Sequence, residues 1–284
     1  MTTTALDIGR IGIWTGVLDA VPSAEAKRLA GELEALGFPT LWIPETIGRD
    51  PFVTAALLLG ATSSLRIATG IANIYARDAV TMANTQRSLE EAFPGRFLLG
   101  LGVSHQHLVN RVRNHDYSRP YSKMVEYLDQ MESALFLAVG PTERPPTVLA
   151  ALGPKMLELS RTKANGAHPY FVPVEHTAQA RQILGPDAML APEQMVVLST
   201  DRDQANEIAR KGMAVYLRAP NYTNNLRRLG FTDEDFTDGG SQRLVDAIVA
   251  MGDVDVVRDR VDAHFAAGAS HVCVQVLGAN PADV

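Results

Sequence analysis

RFLLGLGVSH, residues Arg96 to His105, decides how the chain is read. The apolar run Phe97 to Leu101 carries Gly100, is followed by Gly102, starts after Pro94-Gly95 and stops at Ser104-His105. An apolar run this short between turn residues predicts a strand buried on both faces. Such strands belong to parallel sheets covered by helices. In those sheets the polar residues at the carboxyl ends of strands face the ligand crevice. Ser104 and His105 are thereby candidates for chemistry. A plainer reading competes: the glycines only allow close packing, and His105 is a solvated loop residue.

Outward from this stretch, apolar runs predict strands at 10–14, 40–43, 65–71, 97–103, 147–152, 167–172, 193–200 and 271–277. Helices are expected at 23–36, 52–62, 80–92, 121–139, 154–163, 177–184, 202–217, 242–251 and 254–267, with 218–240 irregular. The first helix shows the reasoning: Ala24, Leu29, Ala30, Leu33 and Leu36 recur at helical spacing, and Gly37 ends it. Strands alternating with helices imply a parallel sheet with right-handed crossovers. Eight such units favour an α/β fold, a (β/α)8 TIM barrel with insertion segments, as one domain over 1–284. An open doubly wound sheet is the other option, but Gly9, Gly12 and Gly16 lack the G-x-G-x-x-G spacing it needs.

The net charge of −6 argues against nucleic acid or an anionic membrane surface as partner. The lone cysteine, Cys273, lies in the apolar run HVCVQVL and reads as a core residue. MTTTALDIGR lacks the basic-then-apolar order of a leader, and no apolar run reaches the length of a membrane span. A soluble, cytoplasmic protein is expected.

Residues just past each strand are the candidates in a barrel. They are Trp14, Glu45 and Thr46, Gly70 to Asn73, Ser104 and His105, Leu152 to Lys155, His168 to Tyr170, and Gly278 with Asn280. No metal is expected: His105 and His107 stand two apart with no further ligand cluster. Ala151-Leu152-Gly153-Pro154-Lys155 is the best anion site, since a glycine turn, a helix start and a lysine converge there. An ordinary strand-to-helix turn would read the same way. Gly70-Ile71 allows a bulge that props a flat ring, but without context a packing glycine is the better reading. Glu45 serves as a general acid or base, or pairs with Arg49 or Arg77. Trp14, His168 and Tyr170 line the barrel mouth or pack in the core.

Six passages occur together in order: WIPE (42–45), ATGIANIYAR (68–77), GRFLLGLGVSH (95–105), LAALGPKM (149–156), GAHPYFVPVEHT (166–177) and AGASHVCVQVL (267–277). Together they resemble the luciferase-like oxidoreductases, and within them the actinobacterial branch assigned to the deazaflavin coenzyme F420. The resemblance implies a TIM barrel with an insertion, a homodimer, a small-molecule substrate and an F420-dependent oxidoreductase activity. It places a bulge, often with a non-prolyl cis peptide, at Gly70-Ile71. It assigns cofactor contacts to Val103, Ser104 and His105, and a phosphate loop to Ala151, Leu152, Gly153, Pro154 and Lys155. Several F420 dehydrogenases carry an Asp-His pair after strand two and a Glu after strand four; here those positions read Glu45-Thr46 and His105. The departure shifts the expectation toward a reductase in which His105 or Tyr121 supplies a proton, with Glu45 as the second catalytic candidate. Trp14, Tyr121, His168 and Tyr170 are then expected to form the substrate pocket. The alternatives are an FMN-dependent monooxygenase and a flavin- or deazaflavin-binding protein without catalysis.

Overall fold

Every strand pairing is parallel in the computed structural model, which describes residues 7–278. Asn280 and residues 1–6 lie outside the described residues. The elements in chain order begin β1 (Ile11–Trp14), α1 (Ser23–Ala35), β2 (Thr40–Ile43), α2 (Pro51–Leu59), β3 (Arg66–Thr69), β4 (Ala72–Asn73), α3 (Ala79–Ala92) and β5 (Phe97–Gly102). Then come α4 (Pro120–Ser133), β6 (Thr147–Leu149), α5 (Pro154–Lys163), β7 (Gly166–Ala167), α6 (Val174–Leu184), β8 (Met189–Leu190) and β9 (Glu193–Leu198). The chain finishes with α7 (Arg202–Met213), α8 (Pro220–Arg228), α9 (Gln242–Ile248), β10 (Val249–Gly252), α10 (Val254–Ala266) and β11 (Val272–Val276).

The sheet runs β11-β1-β2-β3-β5-β6-β7, the order of a barrel. Residues 189–198 close it. On one side Ala191 N–H donates to Ala167 O and Glu193 N–H to Pro169 O. On the other, Cys273 N–H donates to Pro192 O, and β9 pairs with β11. β10 lies beside the far half of β9. The architecture expected from the sequence is therefore present: a parallel barrel wrapped in helices.

Local chemistry explains the elements. All six residues of β5 are buried, as a strand covered on both faces requires. Gly100 and Gly102 in β5 are demanded by close approach. A Cβ on Gly100 would sit 2.0 Å from Thr69 O, and one on Gly102 would sit 2.4 Å from Ile71 Cδ1. Asp50, Asp78, Asp201 and Asp253 cap α2, α3, α7 and α10 by accepting from first-turn N–H groups. α1 buries Ala26, Leu29, Ala30 and Leu33.

Five expectations need correction. The strand expected over 65–71 splits into β3 and β4 around a bulge at Gly70-Ile71. The strand expected over 167–172 stops at Ala167, because Pro169 and Pro173 lack donors and Phe171 takes φ 58°. The helix expected to reach Met251 ends at Ile248, and its apolar tail becomes β10, drawn into the sheet by pairing with β9. The helix expected over 121–139 ends at Ser133, and Pro220–Arg228, expected to be irregular, is helical. Among the described residues, no helix is long and apolar enough to cross a membrane.

Candidate active site

A cavity of about 300 Å3 opens at the carboxyl ends of the strands. Strand ends supply Trp14, Glu45, Gly70, Ile71, Val103, Ser104, His105, Ala151, Leu152, His168 and Tyr170 to its wall. Gly153, Pro154 and Lys155 lie just beyond Leu152, at the start of α5. Tyr121 is the exception among the expected pocket residues. It sits in the first turn of α4, 41% exposed and away from the cavity wall, and Tyr117 lines the wall instead.

The bulge is the centre of the site. The Gly70-Ile71 peptide is cis. Trp14 Nε1 donates to Gly70 O at 3.1 Å, Gly70 N–H donates to Ile43 O, and Glu45 N–H donates to Ile71 O. Gly70 turns its open side to Trp14 and His168: a Cβ there would lie 2.5 Å from Trp14 Nε1 and 3.3 Å from His168 Nε2. Ile71 packs the other way, over Gly102 and toward Gly100. The glycines that marked β5 in the sequence thus make the seat for Ile71.

Glu45 is at the rim and fully engaged. Arg77 grips both carboxylate oxygens, at 2.9 and 2.8 Å, and Asn73 N–H donates to Oε2 at 2.7 Å. Arg113 approaches Oε1 at 3.5 Å. Of the two pairing partners the sequence offered, Arg77 is the one taken; Arg49 donates to Val21 O instead. Thr46 donates to Asp19, at 3.3 Å.

His105 is half-buried at the mouth. Its Nδ1 lies 3.0 Å from Asn221 Oδ1, and its ring lies 5.4 Å from that of Tyr222. Burial lowers its pKa, opposed by the Asn221 contact. Ser104 takes φ 58°, in the left-handed region, and its carbonyl accepts from Tyr117 OH at 3.0 Å.

His168 is at the floor, 1% exposed. Its Nδ1 donates to Ala191 O at 2.7 Å, so Nε2 is the bare acceptor of a neutral ring. Nothing bonds to that nitrogen. Burial pushes the pKa of His168 down to about 4. The ring stacks on Trp42 at 4.3 Å; Trp42 Nε1 donates to His271 Nε2, and His271 Nδ1 donates to Gly9 O. This column fixes the plane of the imidazole. Beside it, Tyr170 OH donates to Gln275 Oε1 at 2.7 Å and accepts from Tyr216 OH at 2.6 Å.

The loop Ala151–Lys155 ends with Gly153 as N-cap of α5 and Pro154 in its first turn. No side chain caps this helix; Pro154 has no N–H and Met156 N–H donates to Gly153 O, so the Lys155 N–H and the positive dipole end are what the helix start offers an anion. Arg228 Nη2 would lie 3.3 Å from a Cβ on Gly153, which adds a second cation to Lys155. From the sequence, Asn221 and Tyr222 belong only to an irregular segment, 218–240, expected to shape the pocket, and Arg228 and Tyr216 carry no role. Three of them lie on α8, whose only signal was Pro220 at a helix start with Tyr222 and Leu226 four apart. Among the described residues no group of three or more His, Cys, Asp or Glu side chains could hold a metal.

A family model described as luciferase-like monooxygenase matches residues 10–271. A Mycobacterium tuberculosis protein, provisionally named a coenzyme F420-dependent oxidoreductase, is 24% identical, across 93% of this chain and 94% of its own length. Two solved structures share the fold. One is an F420-dependent secondary alcohol dehydrogenase in complex with an F420-acetone adduct, at TM-score 0.75, 14% identity and coverage of 94% and 93%. The other is the coenzyme F420-dependent tetrahydromethanopterin reductase of Methanopyrus kandleri, at TM-score 0.76, 18% identity and the same coverage.

Proposed function

Because the chain belongs to the luciferase-like monooxygenase family, we propose that it is a coenzyme F420-dependent oxidoreductase acting on a small organic substrate. The observation that carries this reading is the seat around Gly70-Ile71. An apolar, aromatic-lined cavity sits against a backbone bulge, with an uncapped helix start and two cations at one side. A flat ring with an anionic tail fits that combination. The names of the relatives support F420 as the ring in question.

Ile71, Val103 and Ser104 would hold the ring, and Ala151 to Lys155 with Arg228 would hold the phosphate. The chain carries −6 overall, so attraction for an anionic tail has to come from such local cations. When bound, the deazaflavin carries the hydride. The protein's part is to orient substrate, exclude water and manage a proton. Trp14, Tyr170 and Tyr216 exclude water from the floor. His105, at the mouth, exchanges a proton with solvent. The reductase direction is favoured because the rim offers no spare carboxylate base: Glu45 is bound to Arg77 and Asn73. The same reading carries the family expectation of a cytoplasmic homodimer, whose oligomeric state sedimentation checks.

Fluorescence titration with oxidised F420 and, separately, FMN tests the cofactor. Binding of F420 with little FMN affinity is expected. Tight FMN binding without F420 would sink the proposal in favour of a flavin monooxygenase, the activity the family model is named for. Reduced F420 is then offered to a panel of enones, ketones and imines. Binding without turnover of any member would identify a binding protein instead. Gly153→Asp puts a carboxylate at the helix start and beside Arg228, and should weaken F420 about tenfold. Unchanged affinity would refute the phosphate assignment.

A further inference from the structure

The floor of the cavity has an uneven hydrogen-bond inventory. Trp14 spends its N–H on Gly70 O, Tyr170 its O–H on Gln275, and Tyr216 its O–H on Tyr170. His168 spends its Nδ1–H on Ala191 O. These four side chains present no free donor, and of their polar atoms only His168 Nε2, buried and on the cavity wall, has no hydrogen-bond partner. The imidazole cannot turn to trade its nitrogens, because it is stacked on Trp42 and tied to Ala191 O. A buried acceptor left unmet is costly, so such an atom marks where a ligand's donor goes.

The side of the bulge matters as well. Gly70 faces Trp14 and His168, whereas Ile71 packs onto β5 over Gly102, whose other neighbour is Ala150. The acceptor therefore lies on the Gly70 side of the bulge, opposite Ile71 and the end of β5.

We propose that His168 Nε2 is the substrate anchor: a fixed acceptor that selects molecules carrying an O–H or N–H close to the reacting carbon. This rests on the oxidoreductase reading for the reaction, but not for the hydrogen bond itself. The selected class is a hydroxylated or N–H-bearing enone or ketone; an ether, or a plain hydrocarbon enone, leaves the nitrogen unmet. Sites that hydrogen-bond a substrate group discriminate strongly against analogues lacking it.

The test uses matched probes, 4-hydroxycyclohex-2-enone and 4-methoxycyclohex-2-enone, with the full chain and reduced F420. The hydroxyl probe should show a kcat/KM about tenfold or more above the ether, mainly through KM. His168→Leu should erase that preference and leave the F420 dissociation constant unchanged. His168→Gln, whose amide oxygen still accepts, should restore part of it. A second readout needs no turnover. In protein labelled with 15N-histidine, the His168 Nε2 resonance should move upfield with the hydroxyl probe and stay put with the ether. A preference that survives His168→Leu, or an Nε2 resonance indifferent to the hydroxyl probe, overturns the proposal. Loss of F420 affinity in His168→Leu also overturns it, by giving the nitrogen to the cofactor. Failure of the wild type to bind F420 would strike the cofactor reading alone, since the 15N experiment is run without F420.

Discussion

Glu45 and His168 stand at the rim and the floor of one cavity, and their surroundings are opposites. Glu45 meets a guanidinium fork, a backbone N–H and a second arginine. His168 meets one carbonyl and an aromatic face, and keeps a nitrogen free. Both follow a strand, so position along the barrel ranks them equally as acid–base candidates. Partner accounting separates them. A carboxylate held by this many donors organises the rim: through Asn73 and Arg77 it ties the segment after the bulge to β2, and Arg77 continues to Asp50 at the start of α2. A buried ring with an unmet acceptor is where a ligand is still to be added.

The largest test of this contrast is Glu45→Ala. The Arg77 side chain is only 12% exposed and would keep Asp50 alone as counter-ion. Removing one partner of a buried pair costs about 3 kcal/mol, readable in urea unfolding. A loss under about 1 kcal/mol would mean that the rim does not depend on the pair, and Glu45 would return as a chemical group.

Acid titration probes the floor. His168, His264 and His271 are each held down to about 4 by burial, against about 6.5 in an unfolded chain. Between those values the unfolded state binds protons that the native state refuses, so stability falls as pH drops through this window. Glu193 opposes the trend. Burial pushes its carboxyl up to about 8, so the native state keeps a proton that the unfolded chain releases, and stability falls as pH rises toward 8. His168→Gln should flatten the acid-side dependence by up to about 1.4 kcal/mol per pH unit, measured as urea stability from pH 4.5 to 6.5. An unchanged slope would mean a hydrated floor and an ordinary imidazole.

The smallest effect expected is from Trp14→Phe. It removes the donor to Gly70 O, keeps most of the aromatic packing on Tyr170, and should cost about 1 kcal/mol. Because the lost bond is on the Gly70 side of the bulge, the Arg77–Glu45 pair should be untouched. If Glu45→Ala and Trp14→Phe proved strongly non-additive in a double-mutant cycle, rim and floor would have to be treated as one network.

Much of the fold was legible because its signals are local. The apolar run of β5 between its flanking turns, the aspartate caps and the apolar spacing of α1 each act within a few residues, and their sum points to a parallel barrel. The misread elements are those where long-range pairing overrode local pattern. Val249–Gly252 is apolar enough to extend α9, but it gains more by pairing with β9. Met189–Leu190 is too short to announce itself and exists through its pairing with β7. In the site, WIPE and GAHPYF supply Glu45 and His168 to the cavity wall, yet the surroundings of these two residues were not readable. Each is set by atoms far away in the chain: Arg77 and Arg113 for one, Ala191 and Trp42 for the other. Tyr121 was misplaced for the same reason, since one turn of helix decides whether a side chain at the start of α4 meets the cavity or the solvent.

RFLLGLGVSH by itself fixed a buried strand that ends in polar residues, because apolar length and flanking turns act locally. The tertiary structure decided why its glycines are needed. The bulge at Gly70-Ile71 projects Ile71 into the space they leave, and Thr69 O comes too close to Gly100 for a side chain. It also decided which polar groups remain available to a ligand, because a hydrogen bond's availability depends on every neighbour that the fold brings to it.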